Sequence, residues 1–301
     1  MKRAAGNVPT VRRCSILATS KLPWRITAPA RGRQIKGSEI LSETVLGEAE
    51  LDERLYVASV AKAMRVMETF DQTSPQLSIS DIATRSGLGR SATQRFVYTL
   101  HSLGYLKRDP ASKLYSLSAK IFRFVHGVIG ANTALERSYH LLSQLAKDTR
   151  ETISWVELDG DEIVVIGNVP SVHLASITLS VGSRFVALPS SSGQVLLCRR
   201  EESELLEMFE RLPAAARARF GKKSANAILA RLDEVRRCGY SLTEKSLDEG
   251  SLSISAPVFD YAGQPIAAIN LSTLSSRFTA DAAREELVPL VLAAARAASA
   301  N

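Results

Sequence analysis

The chain has 301 residues, 45% hydrophobic and 23% charged, enough for about two domains that each bury a core. No apolar run reaches the roughly 20 residues of a membrane helix; the stretch at 287–295 is short and interrupted by Pro289. The net charge of +7 is lopsided: residues 1–38 hold nine of the 38 Lys and Arg and no acidic residue, so 29 basic groups face 31 acidic ones elsewhere.

That basic start contains Pro9, Pro23 and Pro29 and no apolar period, so residues 1–50 read as a disordered extension without the apolar stretch of a secretory signal. Cys14, Cys198 and Cys238 are far apart and odd in number. This points away from a disulfide framework or a zinc site and fits a reducing cytoplasm.

Val57–Phe70 ("VASVAKAMRVMETF") predicts a helix with Val60, Met64, Met67 and Phe70 inward, stopped by Ser74-Pro75. A second helix is expected from Ser80 as cap to Gly87, with Ile82 and Ala83 inward. A third runs from Gly89 or Arg90 to Leu103, with Gly104 as its stop. Its inward stripe is expected to be Ala92, Phe96, Leu100 and Leu103, leaving Ser91, Gln94, Arg95, Tyr98 and His101 outside.

Tyr105–Arg108 and Lys113–Leu117 then flank the turn Asp109-Pro110-Ala111-Ser112, which predicts a hairpin. Helix, tight turn, helix, hairpin is the order of a winged helix-turn-helix. Residues 51–118 are therefore expected to bind double-stranded operator DNA. Arg90, Ser91, Thr93, Gln94, Arg95 and Tyr98 would lie at the major groove, with Lys107, Arg108 and Lys113 on the flanking backbone. Gln94 and Arg95 are the side chains best suited to read base edges, since Gln pairs bidentately with adenine and Arg with guanine. A merely solvated polar face is the plainer alternative.

Residues 119–134 read as a linker helix interrupted at Gly127 and Gly130. Its apolar stripe of Ile121, Phe124, Val125 and Val128 suits a twin copy of the chain or the stripe's own domain. From 135 to 301 the order changes to a helix (Leu135–Thr149), a hairpin (Thr152–Leu158 and Glu162–Asn168) and a strand (Leu174–Val181). Helices follow at Ser192–Arg200, Glu202–Leu212 and Ala225–Cys238. Strands at Ser241–Lys245, Ser253–Phe259 and Pro265–Ser272 precede one closing helix at 281–300. This is an α+β pattern, a sheet covered by helices.

No histidine pair has metal spacing and no phosphate-binding glycine loop occurs, so neither a metal nor a cofactor is expected. Ser190-Ser191-Ser192-Gly193 lacks the first glycine of a nucleophile elbow. It reads as the lip of a small-anion pocket or as a simple helix cap. Two rivals remain: an enzyme using Ser191 or Ser192, and a sensor that docks another protein.

Four stretches carry a resemblance: "SVAKAMRVMETF", "LSISDIATRSGLGRSATQRFVYTLHSLGYLKRD", "VGSRFVALPSSSGQVLLC" and "CGYSLTEKSLDEGSLSISAPVFDYAGQPIAAINLS". In this order they resemble the IclR family of bacterial transcriptional regulators. "VGSRF" and "INLSTLSSRFT" are most similar to the branch controlling aromatic-acid breakdown, of the protocatechuate and 4-hydroxybenzoate type. The resemblance implies a regulator, not an enzyme. It also implies a homodimer, or a dimer of dimers, in the cytoplasm, with a GAF-like C-terminal domain that binds a small carboxylate. Carried over by motif, the effector residues are Ser191, Ser192, Gly193, Thr243, Ser253, Asn270 and Ser272. The sequence departs from the family at Thr243, often acidic, and at Leu252 and Gln194, often basic, which suggests an altered ligand preference.

Overall fold

The computed structural model describes residues 52, 54–71, 73–217, 224–244 and 250–299; the basic extension lies outside them. The chain divides into two compact units between Thr133 and Ala134, so the linker helix belongs with the first.

In the N-terminal unit, α1 (Ala58–Met67), α2 (Ile79–Ser86) and α3 (Arg90–Ser102) enclose a core of Val66, Phe70, Leu77, Ile82, Val97 and Leu100, closed by Leu106 and Tyr115. Two expected stripes are offset. In α1, Val66 is buried while Val60 and Met64 are exposed; in α3, the buried residues are Thr93, Val97 and Leu100, and Leu103 is exposed. Both helices carry two apolar rows of similar strength, and packing against α2 selects between them.

Ser78, not Ser80, caps α2. The Asp81 carboxylate accepts from the Ser78 N–H (3.1 Å) and hydroxyl (2.7 Å), while the Asp81 N–H donates to that hydroxyl (3.2 Å). Such a box satisfies two donors at once. The Ser78 hydroxyl contact comes first among the causes that hold the Asp81 carboxyl below its ordinary range. Gly87 ends α2 at φ 66°, a left-handed turn that glycine adopts at little cost.

Strands β1 (Leu106–Arg108) and β2 (Tyr115–Leu117) form the expected wing, Lys107 opposite Ser116. A 3₁₀ turn (Ala119–Ile121) leads into α4 (Phe122–Ala131), which runs unbroken through Gly127 and Gly130.

The C-terminal unit is one antiparallel sheet with helices on both faces. Its strands are β3 (Thr152–Asp159), β4 (Glu162–Val169), β5 (Arg184–Val186), β6 (Ser241–Glu244), β7 (Ser251–Phe259) and β8 (Pro265–Leu274), in the order β5-β4-β3-β8-β7-β6. One face packs on α5 (Thr133–Thr149), α10 (Ala280–Glu286) and α11 (Val288–Ala298), through Leu142, Leu145, Val288 and Val291 against Ile153, Ile254 and Leu271. The other carries α6 (Ser191–Leu197), α7 (Glu202–Arg211), α8 (Ala214–Arg217) and α9 (Ser224–Cys238), with Val195, Phe209, Ile228 and Leu232 over Val156, Val165 and Ala268. Each such fully buried side chain contributes about 1.5–3 kcal/mol. The α+β class and the GAF-like arrangement of the sheet hold.

Two expectations fail here. The closing helix is divided at Leu287, with Pro289 in the first turn of α11. Residues 174–181 are not a strand: Ile177 and Leu179 are buried in strand-like alternation, but β5 takes the place beside β4. Side chains satisfy this segment's carbonyls instead. The Thr152 hydroxyl donates to Ile177 O (2.8 Å) and the Arg277 guanidinium to Ala175 O (2.7 Å).

Candidate DNA-reading face and effector cavity

Each unit holds one polar feature that its own packing leaves to be explained. On α3, the side chains of Arg90, Ser91, Gln94, Arg95 and Tyr98 are exposed, and none forms a hydrogen bond or ion pair among the described residues. Thr93 does not belong with them. It is fully buried, and its hydroxyl donates to Gly89 O (3.2 Å), so it anchors the first turn of the helix.

On the wing, Lys107 is likewise exposed without a side-chain partner among the described residues. Arg108 lies over the Tyr115 ring (5.6 Å), and the Lys113 ammonium donates to Pro110 O (2.5 Å), so both help hold the wing's own turn. Arg85 is structural: it bonds Thr69 O (3.1 Å), Asp71 (3.3 Å) and the Ser74 hydroxyl. His101 is exposed but tied by Nδ1 to Leu106 O (3.0 Å), joining α3 to the wing.

In the C-terminal unit the polar feature is internal. Strand register lays two polar rows across the sheet face beneath α6. One runs Ser241, Ser255, Asn270, Ser154, Asn168; the next runs Thr243, Ser253, Ser272, Thr152. A β-bulge between Trp155 and Val156 shifts parity along β4, which brings Val165 and Asn168 to the same face.

The start of α6 lies on these rows. The Ser191 and Ser192 hydroxyls each pair with that of Ser255 (2.9 Å), which donates to Asn270 Oδ1 (3.0 Å); Asn270 Nδ2 donates to the Ser272 hydroxyl (2.8 Å). Ser190 is the cap of α6, accepting from the Gly193 N–H (2.9 Å). Gly193 is present for contact, since a Cβ there would stand 2.0 Å from Ala187 O.

A cavity opens beside this cluster. Val156, Ile163, Val165, Leu179 and Phe185 form its apolar wall; Ser190, Ser191, Ser192, Ser253 and Asn270 form its polar end. Its volume is about 20 Å³, room for roughly one water. Among the described residues no charged side chain lines it.

Of the expected effector residues, Ser191, Ser192, Ser253 and Asn270 line the cavity, while Gly193 and Ser272 stand directly behind it. Thr243 sits at the far end of the second row, its buried hydroxyl without a hydrogen-bond partner among the described residues. Gln194 and Leu252 do not line the cavity. The Gln194 carboxamide accepts from Arg231 (3.1 Å) and Ser241 (2.7 Å) and donates to Leu188 O (3.2 Å), a strut joining α6 to α9 and β6; Leu252 is packed on the opposite face. Their departure from the family pattern therefore leaves the cavity's lining charge unaltered.

The chain matches the model of the IclR helix-turn-helix domain over residues 59–110 and that of the bacterial transcriptional regulator IclR C-terminal domain over 128–300. It belongs to the IclR family of bacterial transcriptional regulators. It is 29% identical to the Pca regulon regulatory protein of Pseudomonas putida over 242 residues, 80% of this chain and 82% of that protein.

Among solved structures, a transcriptional regulator from Rhodococcus sp. RHA1 superposes with a TM-score of 0.68 at 27% identity, over 80% of this chain and 96% of the other. An IclR homologue complexed with 4-hydroxybenzoate, from Microbacterium hydrocarbonoxydans, shares the fold with a TM-score of 0.65 at 21% identity, over 79% and 95%. As an IclR-type regulator the chain pairs a DNA-binding helix-turn-helix with a C-terminal effector domain, and it is not an enzyme. The Ser191 hydroxyl bonds to Ser255 and Asn270, and that of Ser192 to Ser255.

Sequence reasoning missed Ser255, Ser154, Thr152 and Asn168. Ser255 was legible, as polar residues at 251, 253 and 255 alternate in an otherwise apolar strand. Asn168 was not, because the bulge reverses its side.

Proposed function

We propose that this protein is a homodimeric, ligand-responsive regulator that reads an operator with α3 and releases or engages it when a small carboxylate occupies the cavity under α6. The free outer face of α3 carries the reading. Gln94 and Arg95 are long hydrogen-bonding side chains with no intramolecular partner among the described residues, on the helix that a winged helix-turn-helix presents to the major groove. Arg90, Ser91, Tyr98 and Lys107 then meet the flanking backbone, with Arg108 and Lys113 shaping the wing.

The ligand proposed is an acid with a flat apolar body. The body suits Val156, Ile163, Val165, Leu179 and Phe185; the charged end suits the hydroxyls of Ser191, Ser192 and Ser253 and the amide of Asn270. A buried carboxylate is stabilised by several hydrogen bonds even without a cation beside it. An aromatic acid such as 4-hydroxybenzoate fits this division, and the kinship with the Pca regulon protein supports it. The exposed Phe122, Phe124 and Val128 of α4 support a second copy as the partner.

The test is a gel shift with the DNA upstream of the protein's own gene, repeated with 4-hydroxybenzoate and with non-aromatic acids. The effector is expected to change operator affinity by about 5- to 150-fold. An affinity that is the same for operator and scrambled DNA overturns the assignment of α3.

A further inference from the structure

The cavity volume raises a question of entry. A pocket for a metabolite-sized ligand is usually about 300–1,000 Å³, and this one is about 20 Å³. Some wall must move. Three walls are poor candidates. β3, β4, β7 and β8 are bonded in continuous ladders on both sides, and β5, which carries Phe185, is laddered to β4 and tied by Arg184 to Asp159 (2.6 Å) and Glu162 (2.7 Å). α6 is held by the close contact of Gly193 with Ala187, by the Gln194 strut and by the shared Ser255 hydroxyl.

The remaining wall is Leu179, carried by residues 170–183. Among the described residues, 170–181 form no backbone hydrogen bond to the sheet; Gly182 and Ser183 bond Val165 at the far end. Besides the burial of Ile177 and Leu179 and the bond of the Ser171 hydroxyl to Arg150 O (2.7 Å), a set of side-chain contacts at one edge holds the segment down. Thr152 Oγ1 donates to Ile177 O (2.8 Å) and accepts from Ser171 N (3.3 Å); Arg277 donates to Ala175 O (2.7 Å). Arg277 is itself fixed by a two-pronged pair with Glu151 (both 2.6 Å), whose side chain is 1% exposed. A guanidinium held by a buried carboxylate offers its third nitrogen in a set direction.

Thr152 belongs to the polar row under the cavity, opposite Ser272. Thr152 does not itself line the cavity, but its hydroxyl, which secures the cover, stands in the same row as Ser253, which does.

The geometry points to residues 170–183 as a latched lid: Thr152 and the Glu151–Arg277 pair hold it shut, and releasing that latch admits the ligand. The inference rests on the cavity being the effector site, but its test does not need the effector. A ligand oxygen that engages Thr152 competes with Ile177 O, so binding and lid release are linked at one side chain.

Hydrogen–deuterium exchange on the full chain without ligand provides the test. Thr152→Val keeps the side chain's shape and removes its bond to Ile177. It is expected to raise exchange across 171–181 at least tenfold and to leave the 251–274 strands unchanged. Arg277→Lys keeps the charge but loses the fork, and is expected to act in the same direction. Unchanged lid exchange in both variants overturns the latch. So does a rise shared equally by 251–274, which makes these residues a general clamp on the domain. If the lid loosens as expected but neither 4-hydroxybenzoate nor any acid of a small panel shifts the melting temperature, the effector reading fails and the latch stands.

Discussion

The outer face of α3 and the cluster beneath α6 are both polar, but from Arg90 to Tyr98 the first has no side-chain partners among the described residues, and the second is bonded mainly to itself. Gln94, Arg95 and Lys107 are exposed side chains that water satisfies and a duplex can replace. Ser191, Ser192, Ser255, Asn270 and Ser272 are buried, and each accounts for another's hydrogen bonds. A polar group in the interior without a partner costs about 1–3 kcal/mol, so a ligand site inside the core has to be self-satisfied. The surface face has no such constraint. Substitutions in the two regions should therefore separate stability from recognition.

The largest effect is expected at Gly193→Ala. The new Cβ, fixed in place by the helix, meets the backbone carbonyl oxygen of Ala187 at 2.0 Å, and overpacking of this kind costs about 1–3 kcal/mol or more. Calorimetry of the full chain should show the C-terminal unit melting lower, with the N-terminal unit's transition retained. A melting temperature equal to that of wild type would mean that α6 is free to shift.

Ser255→Ala comes next. It removes the hydroxyl shared by Ser191 and Ser192 and should lower stability by about 1–3 kcal/mol in urea unfolding. It should also weaken binding of any acid found to occupy the cavity. Full stability would show that water readily replaces this hydroxyl, and the contrast with α3 would be lost.

On α3 the pattern reverses. Gln94→Ala and Arg95→Ala should change stability by no more than about 0.5 kcal/mol, while each lowers discrimination between operator and mutated sites by about 1–3 kcal/mol in competitive gel shifts. Lys107→Ala should weaken all DNA alike and reduce the salt slope by about 1.

The smallest effect concerns pH. The Asp81 carboxyl is lowered by its bonds to Ser78, and Asp71 by its bond to the Thr73 hydroxyl first. A lowered native pKa contributes stability above the unfolded value of about 3.9. That contribution is lost as pH falls through the native value, so the N-terminal unit should weaken below about pH 4. Asp81→Asn should flatten this dependence, as seen by circular dichroism during acid titration.

The contrast also explains which features were readable in advance. The winged helix-turn-helix was legible because its signals are local: Gly87, Gly104 and the Asp109-Pro110 turn each act within a few residues, although the cap of α2 was expected at Ser80 and is Ser78. The buried rows of α1 and α3 were not, since Val60 and Val66 are equally apolar and only the neighbouring helix distinguishes them. Thr93 shows the same limit, as a hydroxyl among groove-facing residues gives no sign that it is turned inward.

In the C-terminal unit the family resemblance indicated Ser253, Asn270 and Ser272, and strand alternation added only that Asn270 and Ser272 share a face. Their assembly with Ser191, Ser192 and Ser255 needed strand register and the seat of α6, which link residues more than 60 positions apart. Likewise the alternation at 174–181 was real, but a strand needs a free neighbour, and β5 had taken that edge.

The order of elements in the N-terminal unit, the turn chemistry and the exposed charge of α3 were set by the sequence alone, since each depends on neighbours in the chain. The cavity, its self-bonded floor and the cover held by Thr152 and Arg277 were decided by the tertiary structure. They exist only where distant strands are brought into register and buried polar atoms must find partners.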